Sequence, residues 1–298
     1  MQSMATPGWP AWILGSAVFL ALYDLAKKAS VRGNAVLPTL FLSTCFGCAA
    51  FVSAMLLRGG YAALGGMTHQ IVLLGAIKSV IVATSWIFTF CALRTLPISI
   101  ATPIRASAPA LVFLIALFLY GEVPGWIQAL GMLTVFGGYF VFSWAGRHEG
   151  IDFFRNKAVW CAIAGAFFSA VSAIWDKYVF QVRQAPVEAV QLLFQVGLVV
   201  FYGTAIGVQR LFGWNRDRFE WRWTIPLVGI LLAFADWLYF KGIAPDGVPI
   251  SVASLMRRFS VVITFVVGAF VFRETNLLRK SLALCAILAG VVLLCLGK

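Results

Sequence analysis

Long apolar runs divide the chain at regular intervals, and most charged residues lie in the short segments between them. A helix that crosses the hydrocarbon core of a bilayer needs about 20 consecutive apolar residues, and the pattern predicts ten such helices. Because the connections are short, successive helices are predicted to pack antiparallel. The predicted spans are 9–30, 36–57, 71–93, 98–120, 126–145, 158–180, 187–209, 224–243, 248–271 and 280–297.

The second half of the chain repeats the first at a constant offset. Residues 97–101 (PISIA) recur as residues 249–253 (PISVA), and 249 − 97 = 152. We therefore predict two five-helix repeats, residues 1–148 and residues 149–298, that together form one membrane domain. Further pairs match at the same offset: Asp24 with Asp176, Arg105 with Arg257, Glu122 with Glu274, and Gly138 with Gly290.

An odd number of helices in each repeat determines how the repeats are oriented. After five crossings the chain enters the second repeat from the opposite side of the membrane. The predicted fold is thus an all-α membrane protein with ten transmembrane helices in two inverted five-helix repeats. That architecture is typical of secondary transporters, whose solute site lies near the midplane between the repeats.

Composition excludes several classes of protein. Hydrophobic residues make up 61% of the chain and charged residues 11%, whereas about a quarter of the residues of a soluble domain are charged. The net charge of +12 lies mostly in short loops, which is typical of charges that orient a membrane protein rather than of a nucleic-acid surface. Neither a phosphate-binding glycine loop nor an HExxH-type metal motif is present. We expect no enzyme activity, no cofactor and no metal site.

Two glycine-rich stretches carry a family resemblance. Gly121-Glu122 closes the fourth predicted helix, and Arg273-Glu274 closes the ninth. In each repeat a helix with spaced glycines follows: Gly131, Gly137 and Gly138 in the first, and Gly290 in the second. This duplicated pattern resembles the EamA domain of the drug/metabolite transporter superfamily over nearly the whole chain. The resemblance implies carriage of metabolites without ATP, and it does not name a solute.

Three arginines lie inside predicted spans, where a charge costs roughly 2.5–3.5 kcal/mol on insertion scales and is usually functional. Arg105 and Arg257 are equivalent in the two repeats, and Arg258 follows directly. One interpretation is an anion site, because guanidinium groups bind carboxylate and phosphate with two hydrogen bonds. The basic pair on the ninth helix is similar to that of the plastid phosphate translocators. The other interpretation is an ion pair with an acidic residue: Asp24, Asp176 or Asp236.

Further residues within the spans are candidates for the solute site. Lys78 and Asp236 are charged, and Trp86, Trp237 and Tyr239 are aromatic residues on the third and eighth helices. For the aromatic residues, ordinary packing is an alternative role. All five are predicted to line a cavity.

Two equivalent carboxylates, Asp24 and Asp176, lie late in the first and sixth helices. Neighbouring lysines could pair with them: Lys27, Lys28 and Lys177. The alternative is a proton-coupling role, because burial favours the protonated form of a carboxylate. Both interpretations stay open at this point.

Loop charges predict the orientation. Fourteen Lys and Arg residues lie on the side of the loop that joins the first two helices, four lie on the opposite side, and five lie within spans. Positive loops stay in the cytoplasm, so the count places both termini outside. The family resemblance implies termini in the cytoplasm, which is the opposite arrangement.

These observations lead to a functional hypothesis. We expect a multi-pass protein of the plasma membrane (the inner membrane in bacteria) that moves a small anionic or zwitterionic metabolite, such as a phosphate ester, by alternating access. Alternatives are an exporter of amino acids or amphiphilic drugs, and a flippase for a lipid-linked substrate. The expected partners are the solute, with an anionic one favoured, and the lipid bilayer. The oligomeric state stays open, and a monomer would suffice.

Overall fold

The chain folds into helices in the part that the structure describes. The computed structural model describes residues 8–57, 67–98, 100–101, 104, 108, 111, 125–147, 155–213, 218–245, 248, 253, 256–257, 259–271 and 277–296. A five-residue π-helical turn, Tyr178–Val182, continues the fifth helix. The helices, numbered in chain order, are α1 (Trp9–Val31), α2 (Val36–Leu57), α3 (His69–Thr95), α4 (Trp126–Arg147), α5 (Lys157–Lys177), α6 (Val187–Leu211), α7 (Thr224–Ile243), α8 (Phe259–Val271) and α9 (Leu277–Leu296).

Six of the described helices are long and apolar enough to cross a membrane: α1, α2, α3, α5 with its π-helical turn, α6 and α7. The bounds agree with the predicted spans to within a few residues. Helices α4, α8 and α9 lie in the ranges predicted for the fifth, ninth and tenth spans. The predicted fourth span, 98–120, lies mainly outside the described residues. An all-helical, multi-pass membrane fold is thus confirmed, and the number of ten spans stays a prediction.

Local sequence signals explain where several helices begin. Pro10 lies in the first turn of α1, where its missing N–H would have had no partner in the helix. The side chain of Asn156 accepts a hydrogen bond of 2.9 Å from the amide two residues later and so caps α5. Thr68 caps α3 in the same way. Gly33, with φ of +67°, forms the turn that reverses the chain between α1 and α2.

Small residues allow helix backbones to approach closely. A methyl group on Gly229 of α7 would lie 2.6 Å from the amide nitrogen of Gly47 in α2 and closer still to the carbonyl oxygen of Ser43. A methyl group on Gly47 would lie 2.8 Å from the carbonyl oxygen of Gly229. Packing through small residues is the principal means by which helices associate in lipid. Helices α2 and α7 therefore pack with their backbones in direct contact.

Each contact between two helices recurs between the equivalent helices of the other half of the chain. Helix α1 packs against α7, and its counterpart α5 packs against α3, the counterpart of α7. Likewise α2 packs against α7, and α6 packs against α3. Helix α4 packs extensively against its own counterpart, α9. This pattern is what a two-fold relationship between the halves requires.

The contact between α4 and α9 repeats this relationship residue by residue. A methyl group on Gly138 would lie 2.6 Å from Cγ1 of Ile287, and one on Gly290 would lie 2.7 Å from Cγ2 of Val135. The partners are equivalent at the same offset, since 290 − 138 = 152 and 287 − 135 = 152. Gly290 also meets the carbonyl oxygen of Gly131, seven residues before Gly138, so the two helices run antiparallel. A two-fold axis that relates two antiparallel helices in contact is perpendicular to the helix axes, not parallel to them.

Three lysines that were counted as loop charges are buried. Lys27 is 1% exposed, Lys28 6% and Lys280 0%. Without them the side that joins α1 to α2 carries 14 − 3 = 11 Lys and Arg residues against four. The imbalance is smaller but keeps its direction.

This imbalance gives a testable expectation for the orientation. A C-terminal fusion to a reporter enzyme that is active only outside the cytoplasm should be active, because the positively charged loops are retained inside. The same reporter fused after Arg155, on the opposite side, should be inactive and serves as the control. Activity after Arg155 and none at the C-terminus would mean that the charge count gives the wrong orientation.

Candidate functional site

One cavity lies among helices α1, α3, α5, α6, α7 and the segment that leads into α8. Its volume is about 130 Å³. Residues from both halves of the chain contribute to its wall. The lining residues are Leu20, Tyr23, Lys27, Lys78, Val82, Ser85, Trp86, Thr89, Ser169, Ser172, Ala173, Asp176, Phe194, Leu232, Asp236, Tyr239, Phe240 and Arg257.

Two helical stripes form much of the polar wall. On α3 the lining residues begin at Lys78 and follow at i+4, i+7, i+8 and i+11, ending at Thr89. Such spacings place side chains on one helix face. On α5 the stripe consists of Ser169, Ser172 and Asp176 with one alanine. The cavity therefore has Lys78 and Asp176 at one end. Hydroxyl groups follow toward Thr89 at the other end, where Nζ of Lys27 lies 5.7 Å from the ring centroid of Phe90.

Lys78 is at the centre of the first of these two ends. Its ammonium forms a buried ion pair with the carboxylate of Asp176 across the α3–α5 contact. The same nitrogen lies 4.6 Å from the ring centroid of Phe240 and 5.0 Å from that of Phe194. Ammonium groups at such distances from ring faces are stabilised by cation–π attraction. Lys78 thus contacts residues of three other helices.

Arg257 forms the second pair at this end. Its Nη2 donates to Oδ1 of Asp236 at 2.6 Å, and the guanidinium carbon lies 4.1 Å from the ring centroid of Tyr239. Nε of Arg257 is buried, and none of the residues that the structure describes accepts a hydrogen bond from it. Only part of the guanidinium's donor capacity is therefore used by Asp236, since an arginine has five N–H donors.

A third pair lies on α1. Nζ of Lys27 donates to Oδ1 of Asp24 at 2.8 Å and lies 4.4 Å from the ring centroid of Tyr23. The neighbouring Lys28 has a different role. Its ammonium donates to the carbonyl oxygens of Leu93, at 2.8 Å, and Leu96 at the end of α3. A cation stabilises the C-terminal end of a helix, where carbonyl groups lack partners.

Cations and carboxylates are balanced around the cavity. In the described part of the chain, three cations each pair with one carboxylate: Lys27 with Asp24, Lys78 with Asp176 and Arg257 with Asp236. Removal of one member of a buried pair leaves an uncompensated charge, which typically costs about 3–5 kcal/mol. Among the described residues, every charged side chain that lines the cavity therefore has a partner of opposite charge.

Most of the predicted site residues meet at this cavity. Lys78, Trp86, Asp236, Tyr239 and Arg257 all line it. Asp176 lines it too, and Asp24 contacts it through Lys27.

Three predicted residues do not contribute to this description. Trp237 is absent from the cavity wall: it packs beside Phe51 and Met55, with its ring 5.9 Å from that of Trp12. Arg105 and Arg258 lie outside the described residues, so a shared site of three arginines stays a prediction.

The ion pairs differ in part from those expected. Lys177 was one candidate partner for Asp176, but the structure pairs Asp176 with Lys78, and Lys177 is exposed. Lys241, on the same helix as Asp236, pairs with Glu188 at 2.5 Å. For Arg257, the ion pair with Asp236 is the interpretation that matches the geometry of the empty cavity.

Several polar and aromatic residues that line the cavity were not predicted from the sequence: Tyr23, Lys27, Ser85, Thr89, Ser169, Ser172, Phe194 and Phe240. A signal existed for Ser169 and Ser172. They precede Asp176 by seven and four residues, and these spacings place small polar groups on the same face of an otherwise apolar helix. Among the described residues no group of three or more His, Cys, Asp or Glu side chains could hold a metal ion.

Comparisons with known proteins identify the family and the fold of the chain. The model of the EamA-like transporter family matches residues 8–144 and, a second time, residues 156–296. Solved structures are similar to this chain as well. One of them, a crystal structure of a protein, has a TM-score of 0.62 and 20% sequence identity over 95% of each chain, which shows a shared fold. No curated protein matches the chain.

Proposed function

The chain belongs to the EamA-like transporter family of the drug/metabolite transporter superfamily, and from the charges of its cavity we propose that it carries a small zwitterionic metabolite. It is an integral, multi-pass membrane transporter, not an enzyme. The observation that carries the proposal is the presence of two ion pairs in the wall of one cavity: the buried pair Lys78–Asp176 and the partly buried pair Arg257–Asp236.

A zwitterion matches such a wall because it adds no net charge. Its carboxylate would bind the guanidinium of Arg257, whose Nε has no partner among the described residues. Its ammonium would bind a carboxylate at the same end of the cavity. Each buried group of the protein then keeps an opposite charge beside it, as the cost of burying an unpaired charge requires. The other end, near Ser169 and Thr89, would receive the solute's side chain.

A second candidate is a small anion such as a phosphate ester. Nε of Arg257, which has no partner among the described residues, favours it, together with the presence of Lys27 and Lys78 in the same cavity. An anion would leave Asp176 and Asp236 beside its own negative charge, which is why we prefer the zwitterion. An amphiphilic drug or a lipid-linked substrate would be less well matched to these buried charges.

For the mechanism we propose alternating access by two inverted repeats, residues 1–148 and 149–298. Support comes from the reciprocal α4–α9 contact and from the exchange of helix partners between the halves. In an inverted pair of repeats each half can adopt the conformation of the other, which converts an outward-open cavity into an inward-open one.

Helix directions favour the ten-span prediction. Helix α3 runs parallel to α6, since Ser79 bonds Phe194 and Ala83 bonds Tyr202. Helix α8 runs parallel to α1, since Thr264 bonds Ala21 and Gly268 lies beside Leu25. Helices α1 and α3 meet at their C-terminal ends through Lys28. Only five residues separate α8 from α9, which favours antiparallel packing of the two, and α9 is antiparallel to α4, so α4 has the direction of α3. The chain then leaves α3 and enters α4 on opposite sides of the membrane, as a further crossing between them would require.

Two further roles are proposed. A proton-coupling role stays a proposal for Asp24, whereas for Asp176 we favour the ion pair with Lys78 over the proton-coupling role that its equivalence to Asp24 suggested. The plasma membrane, which in bacteria is the inner membrane, is the proposed location.

Thermal unfolding of the purified protein tests the solute class. We expect threonine to raise the melting temperature more than 1-aminopropan-2-ol, which lacks the carboxylate, and more than 3-hydroxybutyrate, which lacks the ammonium. A ligand that binds the folded state alone stabilises it by about 2.7 kcal/mol at 100 times its dissociation constant. Glycerol 3-phosphate represents the anionic alternative. Stabilisation by this ester and by none of the amino acids tested would replace the zwitterion with an anion.

A further inference from the structure

The surroundings of the Lys78 ammonium are those of a binding site for an organic cation. One carboxylate, Asp176, and two aromatic rings, Phe194 and Phe240, surround Nζ. A carboxylate with aromatic faces is the set of groups that recognises an alkylammonium ligand. The lysine side chain is only 2% exposed and its stem follows the cavity wall.

The site is assembled from four helices. Lys78 comes from α3, Asp176 from α5, Phe194 from α6 and Phe240 from α7. By contrast, the ion pair between Lys27 and Asp24 lies within one helix, with the two residues at i and i+3. A cation at the Lys78 position therefore bridges elements from both halves of the chain, as a transported solute must.

We propose that Asp176, Phe194 and Phe240 form the binding site for the primary ammonium group of the solute, and that Lys78 occupies this site when the cavity is empty. This inference rests on the proposed zwitterionic solute and adds which residues receive its ammonium end. When the solute enters, its ammonium replaces that of Lys78 against Asp176. The released lysine, on a flexible four-carbon stem, then faces the solute's carboxylate together with Arg257.

Such a replacement has a consequence for the transport cycle. The carrier must reorient both with solute and without it, and an unpaired buried carboxylate opposes that step. Lys78 neutralises Asp176 in the empty carrier and so permits its return. A carrier without Lys78 would reorient only when loaded, and would exchange solute across the membrane instead of transporting it in one direction.

The first experiment is independent of the transported solute. Lys78→Ala leaves the carboxylate and the rings but removes the ammonium, and n-propylammonium matches the missing part. We expect millimolar n-propylammonium to raise the melting temperature of Lys78→Ala by several degrees and to leave the wild type almost unchanged. Neither 1-propanol added to Lys78→Ala nor n-propylammonium added to the double variant Lys78→Ala/Asp176→Asn should have this effect. Equal shifts for wild type and Lys78→Ala would overturn the proposal.

The second experiment compares net uptake with exchange of labelled threonine in proteoliposomes. Lys78→Met is expected to reduce net uptake into empty vesicles by at least about tenfold relative to exchange with threonine-loaded vesicles. Adding Asp176→Asn removes the stranded carboxylate and should bring that ratio back toward the wild type, with a raised KM. Lys28→Met, a change to a buried lysine that bonds carbonyl groups, should leave the ratio unchanged.

The outcomes separate the two proposals. If the wild type does not transport threonine or another amino acid, the zwitterion proposal fails, while the n-propylammonium result still decides whether the site binds an ammonium group. If the wild type transports threonine and Lys78→Met lowers net uptake and exchange in the same proportion, the role proposed for Lys78 is wrong.

Discussion

Replacement of Arg257 by alanine is expected to reduce transport by about a hundredfold or more, because the solute's carboxylate loses a charged hydrogen-bond donor inside the membrane. The same change leaves the carboxylate of Asp236 without its partner. We therefore expect the variant to be destabilised as well, by about 3 kcal/mol. Uptake in proteoliposomes and the melting temperature in detergent measure the two effects.

A paired substitution separates binding from stability. In the double variant Arg257→Gln/Asp236→Asn both charges are removed, and amide groups of similar size can still bond each other. The melting temperature should return close to that of the wild type, while transport stays lost. Arg257→Lys keeps the charge but not the planar fork, so it should bind the solute about tenfold more weakly. Wild-type transport by a well-folded double variant would mean that Arg257 is a structural residue alone.

Replacement of Gly229 by alanine is expected to prevent normal folding. The added methyl group would overlap the α2 backbone, with a distance of 2.6 Å to the amide nitrogen of Gly47. Two helix backbones cannot give way as a flexible side chain can, so the change exceeds the roughly 1–3 kcal/mol typical of an overfilled core. The yield of monodisperse protein and its melting temperature after extraction in mild detergent would measure the loss.

A matched control lies on α6. Gly207 is also helical, but a methyl group there meets nothing within 4 Å. Gly207→Ala should therefore leave the melting temperature unchanged or raise it slightly, since alanine favours the helix. If both substitutions had the same small effect, the close α2–α7 contact would not be essential to the fold.

Span positions could be predicted because a bilayer imposes a length and a composition on each helix. Helices α1 and α2 lie at Trp9–Val31 and Val36–Leu57, where the sequence placed spans 9–30 and 36–57. The repeat was also visible, since equal offsets can be found without any knowledge of packing. Which helices are neighbours could not be found in this way. Hydropathy gives the position and length of a span, but it does not show which side of the helix contacts which other helix.

The ion pairs illustrate this limit. Asp24 and Lys27 are three residues apart on one helix, so sequence spacing predicts that they can meet. Residues i and i+1 point about 100° apart, which is why Lys177 is exposed while Asp176 faces the cavity. The actual partner, Lys78, lies on another helix and is separated from Asp176 by 98 positions. The same angle between adjacent residues would have predicted that Trp237 and Asp236 do not both face the cavity.

The contact between α4 and α9 has the form of an isologous interface, in which one surface patch is used twice. Gly138 receives Ile287 as Gly290 receives Val135, so the pair of helices is self-complementary. A protein with only one such repeat could form the same interface with a second copy of itself, related by the same two-fold axis, without any new contact. In the present chain the two copies are joined, and each position in the interface is free to diverge from its counterpart.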